Sequence, residues 1–413
     1  MFAAKGLRRT AALFLSIAGV SMLPKIAPTA SAATADPAPM AVAANTFGTD
    51  LYGRISAKPG NVFFSPYSIS SALTMTQRGA RDKTADEMAA VLHLPADHVN
   101  EANQALIDQL AGDKDKNGFQ LSVANALWLQ TGAPFNADYL ATTHDNFHAG
   151  LEQLNFATNA DASRLTINDW VAKQTNDKIK DLLPAGSITA DTRLVLTNAV
   201  YFKGTWDTQF NKNATADGTF TQTDGTKVTA PLMHIKSHYG YMSDASKAVL
   251  SLPYKGGALS MVVILPNKND ADSLAAVEKS LTSDSIKATL GKLVREEVTV
   301  TLPKWKMTEK YNLNQTLQTM GMKLAFGRGA DFSGMNGRSD LYISAVIHQA
   351  FVDVNEEGTE AAGATGVVMN RALAMPAPRQ PIVFTADHPF VYAIVHQPTN
   401  TILFMGRIAD PTK

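Results

Sequence analysis

The stretch NEEGTEAAGATGVVMNRALAMPAPRQPIVF, from Asn355 to Phe384, reads as a linker placed almost at the end of the chain. An acidic pair leads into small residues and glycines, and prolines close it. Only residues 385–413 remain beyond it, too few for a stable domain of their own. Those residues nevertheless carry strand patterns around a turn at Pro398 to Asn400. Strands need partners, and here the partners must precede the linker. The segment is therefore an exposed loop within one large domain, and the domain is expected over 46–413, with the loop at about 356–381.

The patterns before the loop support this. Ser65 is a helix cap and Pro66 suits the first helical position, with Ile69, Leu73 and Thr76 following at helical spacing. KTADEMAAVLHL predicts a helix with Thr84 as cap and Glu87 completing a capping box. Leu165, Ile167, Trp170, Val171, Ile179 and Leu182 share a helical face that Pro184 and Gly186 should end. LSVANALWLQ, RLVLTNAVYFKGTW, ALSMVVILP, EVTVTLPKWKM and LYISAVIHQAFVDVN read as strands. Helices dominate early and strands late, without alternation, which predicts an α+β fold with mainly antiparallel sheets.

The N-terminus predicts export. Lys5, Arg8 and Arg9 precede an apolar run from Ala11 to Leu23, and TASA offers a cleavage site after Ala32. That run is short for a membrane span. Residues 1–32 are thus expected to be a signal peptide, Sec-type or twin-arginine, and 33–45 a flexible lead-in. The mature protein is expected to be secreted or periplasmic and monomeric. The chain has no cysteine, which excludes disulfides and thiolate metal sites. Formal net charge is zero and no basic run stands out, which argues against nucleic acid as partner, and none is expected with a membrane after the signal is removed.

No motif supports catalysis. There is no GxSxG elbow, HExxH, phosphate-loop lysine or dinucleotide fingerprint. His144 and His148 stand one helical turn apart without a third ligand, so no metal or cofactor is expected. An exported hydrolase, the different-class alternative, lacks a motif-held nucleophile. The loop itself is free of proline from Gly358 to Met375. As a strand, one face would carry Thr359, Ala361, Gly363, Thr365, Val367 and Met369, and the other Glu360, Ala362, Ala364, Gly366, Val368 and Asn370. Such a strand can enter a sheet without steric obstruction or loss of a ladder hydrogen bond. A merely flexible surface loop has the same composition.

The exact strings add to this reading. NVFFSPYSIS, LTNAVYFKGTW, LPKW, ADFSGM, IHQAFVDVNEEGTEAA and FTADHPFVYAIVHQPTNTILFMGRI, in this order over Ala44 to Asp410, resemble the serpins, the serine-protease-inhibitor family. One departure is Asp82, where the family usually has glycine. The resemblance implies a single domain of three sheets, eight or nine helices and an exposed reactive loop. It also implies an inhibitor, not an enzyme. A target serine protease attacks one loop bond, and the cleaved loop inserts into the central sheet with the acyl-enzyme attached, a use of strand addition known for this family.

Carried over by motif, the hinge is Glu356, Glu357, Gly358, Thr359, Glu360, Ala361, Ala362, Gly363 and Ala364. The scissile bond falls at Ala372–Leu373, which suits elastase- or subtilisin-like targets. Arg371–Ala372 would suit trypsin-like ones and Leu373–Ala374 chymotrypsin-like ones. Ser65, Ser68, Asn198 and His348 match the shutter, a polar cluster beneath the parting strands. Trp206 matches the breach, where the sheet first opens. Buried polar residues need partners in any case, and Trp206 equally suits plain core packing. The alternatives within the family are a non-inhibitory carrier or chaperone and an inhibitor of a cysteine protease.

Overall fold

A computed structural model describes residues 35–111, 119–132, 135–359 and 381–413. The helices are α1 (Ala38–Ile55), α2 (Pro66–Arg78), α3 (Asp82–Val91), α4 (Val99–Ala111), α5 (Ala137–Phe147), α6 (Phe156–Gln174), α7 (Ala271–Lys279), α8 (Ser283–Leu290), α9 (Asn314–Met320) and α10 (Ser333–Asn336). The last two are short, which accounts for a count above the expected eight or nine.

Fifteen strands are described. One sheet holds β2 (Phe119–Gln130), β3 (Gly150–Leu154), β4 (Leu194–Thr205), β10 (Trp305–Asn312), β11 (Ile343–Asn355) and β12 (Gly358–Thr359), in the order β10-β11-β12-β4-β2-β3. The other holds β1 (Val62–Phe64), β5 (Ala216–Thr221), β6 (Lys227–Ser243), β7 (Lys247–Pro253), β8 (Leu259–Pro266), β9 (Val294–Pro303), β13 (Ile382–Thr385), β14 (Phe390–His396) and β15 (Thr401–Ile408). In this second sheet β6 serves two groups through segments that overlap only at Gly240 and Tyr241. Gly240 to Ser243 pair with β7, while Leu232 to Tyr241 pair with β9. The expected three sheets are present in this form, two of them joined along β6. Most pairs are antiparallel; β2–β3, β4–β11 and β9–β13 are parallel.

The strands after the loop pair backwards, as their brevity required. β13 joins β9, and β14 lies between β8 and β15. The apolar core divides around the six-stranded sheet. Ile167 and Val171 of α6 pack with Trp128, Val195, Ala199 and Ile347 on one face. Phe202, Trp206, Tyr254, Val352 and Val354 turn to the other face, against the larger sheet.

Three local expectations are corrected. Residues 38–45 are not a lead-in but the first turns of α1, and Met40, Ala41, Ala43 and Ala44 are buried. The Thr84–Glu87 capping box does not form: α3 starts at Asp82 without a side-chain cap. Thr84 Oγ1 instead accepts the N–H of Asp331, and Glu87 Oε2 accepts those of Lys323 and Leu324. The helix expected to reach Pro184 stops at Gln174, because Asn176 and Asp177 take left-handed φ values of 51° and 59°. Ile179 and Leu182 are still buried, from irregular backbone, and Leu165 is exposed. Asp82 has φ 47°, in the region that glycine adopts without strain. The signal peptide expected over residues 1–32 lies outside the described residues.

Candidate functional site

β4 and β11 run side by side in parallel from Leu194 with Ile343, through a bulge at Ser344, and then in unbroken register from Val195 with Ala345 to Tyr201 with Phe351. Beyond Phe351 a third strand separates them. Gly358 of β12 lies between Thr205 and Asn355, and Thr359 between Gly204 and Val354, antiparallel on both sides. A Cβ on Gly358 would sit 2.0 Å from the Gly204 carbonyl oxygen, so only glycine fits this approach. After β11 the chain reverses through Glu356 and Glu357 and begins a new strand in the middle of a sheet.

That reversal is pinned by residues that follow β4 and β7, precede β5, and link β9 to β10. The Trp206 and Phe210 N–H groups donate to the carbonyls of Glu357 and Glu356, each at 2.9 Å. Trp206 Nε1 donates to Asn355 O at 2.9 Å, and its ring stacks on Tyr254 with centroids 4.6 Å apart. The Tyr254 hydroxyl in turn meets Thr359 Oγ1. The buried Glu356 carboxylate accepts from Thr215 Oγ1 at 2.8 Å and pairs with Lys304 at 3.0 Å. Burial alone would raise its pKa, but its own backbone N–H, Lys304 and Thr215 together hold it below the ordinary range. Glu357 pairs with Lys212, whose pKa that hydrogen bond raises.

Along the same seam Asn198 and His348 are register partners. His348 Nε2 accepts the Ser65 N–H at 3.1 Å, so the other nitrogen, Nδ1, carries the proton and donates to Asn198 Oδ1. Burial pushes the imidazole pKa down to about 3, and the ring is neutral. The Asn198 amide donates to Ser68 Oγ at 2.5 Å and to Asn125 Oδ1. Ser65 Oγ donates to Leu403 O at 2.6 Å while accepting the Ser68 N–H at 3.2 Å, which is the cap of α2. Tyr311 stacks on the imidazole with centroids 6.3 Å apart. The start of α2 thus closes the cluster from beneath the sheet.

The structure brings Ser65, Ser68, Asn198 and His348 into one network, and places Glu356, Glu357, Gly358 and Thr359 at the turn that Trp206 braces through Asn355 and Glu357. Glu360, Ala361, Ala362, Gly363, Ala364, Arg371, Ala372 and Leu373 lie outside the described residues. Sequence reading missed Asn125, Lys212, Thr215, Tyr254 and Lys304. Asn125 had a signal, being a lone amide amid apolar residues in LSVANALWLQ, where burial demands a partner. Among the described residues no group of three or more His, Cys, Asp or Glu is placed to hold a metal.

The model of the family described as "Serpin (serine protease inhibitor)" matches residues 42–411. The chain is a serpin. It is 40% identical to the leukocyte elastase inhibitor of Bos taurus over 380 residues, 89% of this chain and 99% of that protein. It is likewise 40% identical to an uncharacterized serpin-like protein of Methanosarcina acetivorans over 377 residues, 90% of this chain and 88% of that one. Among solved structures, human Thyroxine-binding globulin complexed with thyroine superposes with a TM-score of 0.82 at 28% identity, over 92% of this serpin and all of that chain. Among the described residues no helix is long and apolar enough to cross a membrane.

Proposed function

We propose that this serpin inhibits a serine protease as a suicide substrate, its cleaved loop inserting between β4 and β11. The observation that carries this reading is β12, a strand already begun between the two. Continuing its register down the seam would bring Ala362 level with Tyr201 and Phe351, and Thr365 level with Asn198 and His348. Thr359, Ala361, Gly363 and Thr365 would then share the inward face. Ala362, Ala364 and Gly366 would face α6, where small residues fit beneath Ile167 and Val171.

The energetics favour the step. Insertion replaces one parallel pairing by two antiparallel ones, which are slightly more stable per residue. A dozen new backbone hydrogen bonds at roughly 1 kcal/mol each would contribute on the order of 10 kcal/mol. That is comparable to the whole stability of an ordinary domain. A strand of about 15 residues at ~3.3 Å each spans about 50 Å, enough to carry an attached protease along the sheet.

We assign the scissile bond to Ala372–Leu373 and the target to the elastase or subtilisin type, consistent with the name of the Bos taurus relative. The leader supports export, with mature protein beginning at Ala33. The test is incubation of the purified chain with pancreatic elastase, subtilisin, trypsin and chymotrypsin in turn. A detergent-stable complex and a released peptide starting at Leu373 are expected; a peptide starting at Ala372 would move the bond to Arg371–Ala372. Cleavage without a complex and without a gain in thermal stability would overturn insertion and leave a non-inhibitory serpin.

A further inference from the structure

On a part of the molecule that loop insertion does not use, four helix ends meet around a cavity of about 620 Å³. Arg78 is the last residue of α2 and Arg81 the residue directly before α3, while Asn100 comes from the start of α4, and Ala137 and Asp138 from the start of α5. Among the described residues the arginines that form ion pairs are Arg164 and Arg407, not these two. Arg78 makes only a 3.5 Å contact to Gln77 Oε1, and its Nε is buried without a partner. Burial and the nearby Arg81 both press its pKa below the ordinary guanidinium range, against the opposing pull of Glu101.

Arg81 is fixed in place. Its Nη1 donates to Arg78 O at 3.1 Å and Ala80 O at 2.7 Å, and its guanidinium lies so close to Gly334 that a Cβ there would meet it at 2.3–2.5 Å. The start of α5 adds donors. Asn136 spends its amide on the carbonyls of Ser333 and Gly334, so no side chain caps the first-turn N–H groups of Ala137 and Asp138. Uncapped first-turn N–H groups beside guanidinium groups with no ion pair among the described residues are the donor set that a tetrahedral oxyanion accepts from.

The wall is not uniformly basic. Asp138 lines it, Glu101 acts on Arg78 from a distance, and Asp331 senses Arg81. A bulk polyanion gains little there; a compact group that reaches the directed donors gains most. Asn100 Oδ1, buried and without a donor, matches a ligand that also carries a proton. We propose that this cavity binds a phosphate group, either the free ion or the phosphate of a small monoester. The site lies at the opposite end of α2 from Ser65 and Ser68.

The experiment titrates the purified chain with inorganic phosphate, and separately with glycerol 3-phosphate, at ionic strength held constant with sodium chloride. Calorimetry and thermal melting are the readouts. A saturable rise in Tm with either ligand is expected; tighter binding of the ester assigns a phosphorylated small molecule, and tighter binding of phosphate assigns the free ion. Arg78→Gln should weaken binding about tenfold or more. Ala137→Pro is the second variant: proline suits the first helical position, and Asn136 before it is already extended, so the fold should hold while one N–H donor is lost. It should weaken binding several-fold. No saturable change, a change that chloride reproduces, or unchanged affinity in both variants would overturn the site.

Discussion

The hydroxyls of Thr359 and Tyr254 lie 2.7 Å apart with both residues fully buried, at the first turn-in of the loop to the sheet. A small hydroxyl is what this position accepts. Thr359→Arg would place an unpaired charge where Gly204, Tyr254 and Val354 close around it, at a cost of several kcal/mol. The hinge strand should then fail to form. Protease should still cut the loop, but the ratio of detergent-stable complex to cleaved chain should fall at least tenfold. Densitometry of a denaturing gel measures it, and an unchanged ratio would show that insertion does not start at Thr359.

Lys304 and Thr215 hold the Glu356 carboxylate, and Lys304 is the charged partner. Lys304→Ala leaves a buried carboxylate without its charged partner, held only by the Thr215 hydroxyl and its own backbone N–H, a loss on the order of 2–4 kcal/mol. The loss falls on the folded form in which the turn is pinned. The variant should melt lower than the parent and take up a synthetic Thr359–Met369 peptide several-fold faster, read as a band shift on a native gel. A lower melting point with no change in uptake would assign Lys304 to general stability and not to the hinge.

His348 makes the shutter sensitive to acid. Its folded pKa of about 3 lies below the unfolded value of about 6.5, so the unfolded chain binds the extra proton first. The sign follows: its contribution is complete above about pH 6.5 and is lost as pH falls toward 3. By pH 4.5 the loss should be about 2–3 kcal/mol. Buried His396, held near 4 by desolvation, adds in the same direction. Urea midpoints measured from pH 7 to 4.5 should therefore fall, and His348→Gln should show a shallower slope by about one proton. An equal slope in the variant would place the titration elsewhere.

What the sequence made legible, and what it hid, divides by range. Ser65 was readable as a cap because its partner, Ser68, is three residues away. Thr84 and Glu87 have the same local signature, yet their partners are Asp331 and Leu324, more than two hundred residues on, which no window can see. The apolar spacing through Ile179 and Leu182 correctly marked burial, but burial does not require a helix, and Asn176 and Asp177 break it. Motif likeness located Asn198, His348 and Trp206. It was silent on Tyr254, Lys304 and Thr215, whose roles exist only because separate strands bring them to one turn.

The register of the inserted strand is the most exacting expectation, and the absence of native cysteine makes it measurable. If β12 continues without a slip, Ala364 comes opposite Ala199, a fully buried position under α6. Directly opposed residues share a face with Cβ atoms about 4.5–5.5 Å apart, close enough for a disulfide. The pair Ala199→Cys with Ala364→Cys should stay reduced in the intact chain and oxidise to a cross-link once a protease cuts the loop. Moving the partner by one residue, Ala199→Cys with Gly363→Cys, sends the two side chains to opposite faces, and no cross-link should form. Both results are read from gel mobility with and without reductant. A cross-link in the second pair alone would mean insertion in a shifted register, and then Thr365 would not lie level with Asn198 and His348. A cross-link in neither, in a chain that gains thermal stability on cleavage, would mean the loop docks somewhere other than between β4 and β11.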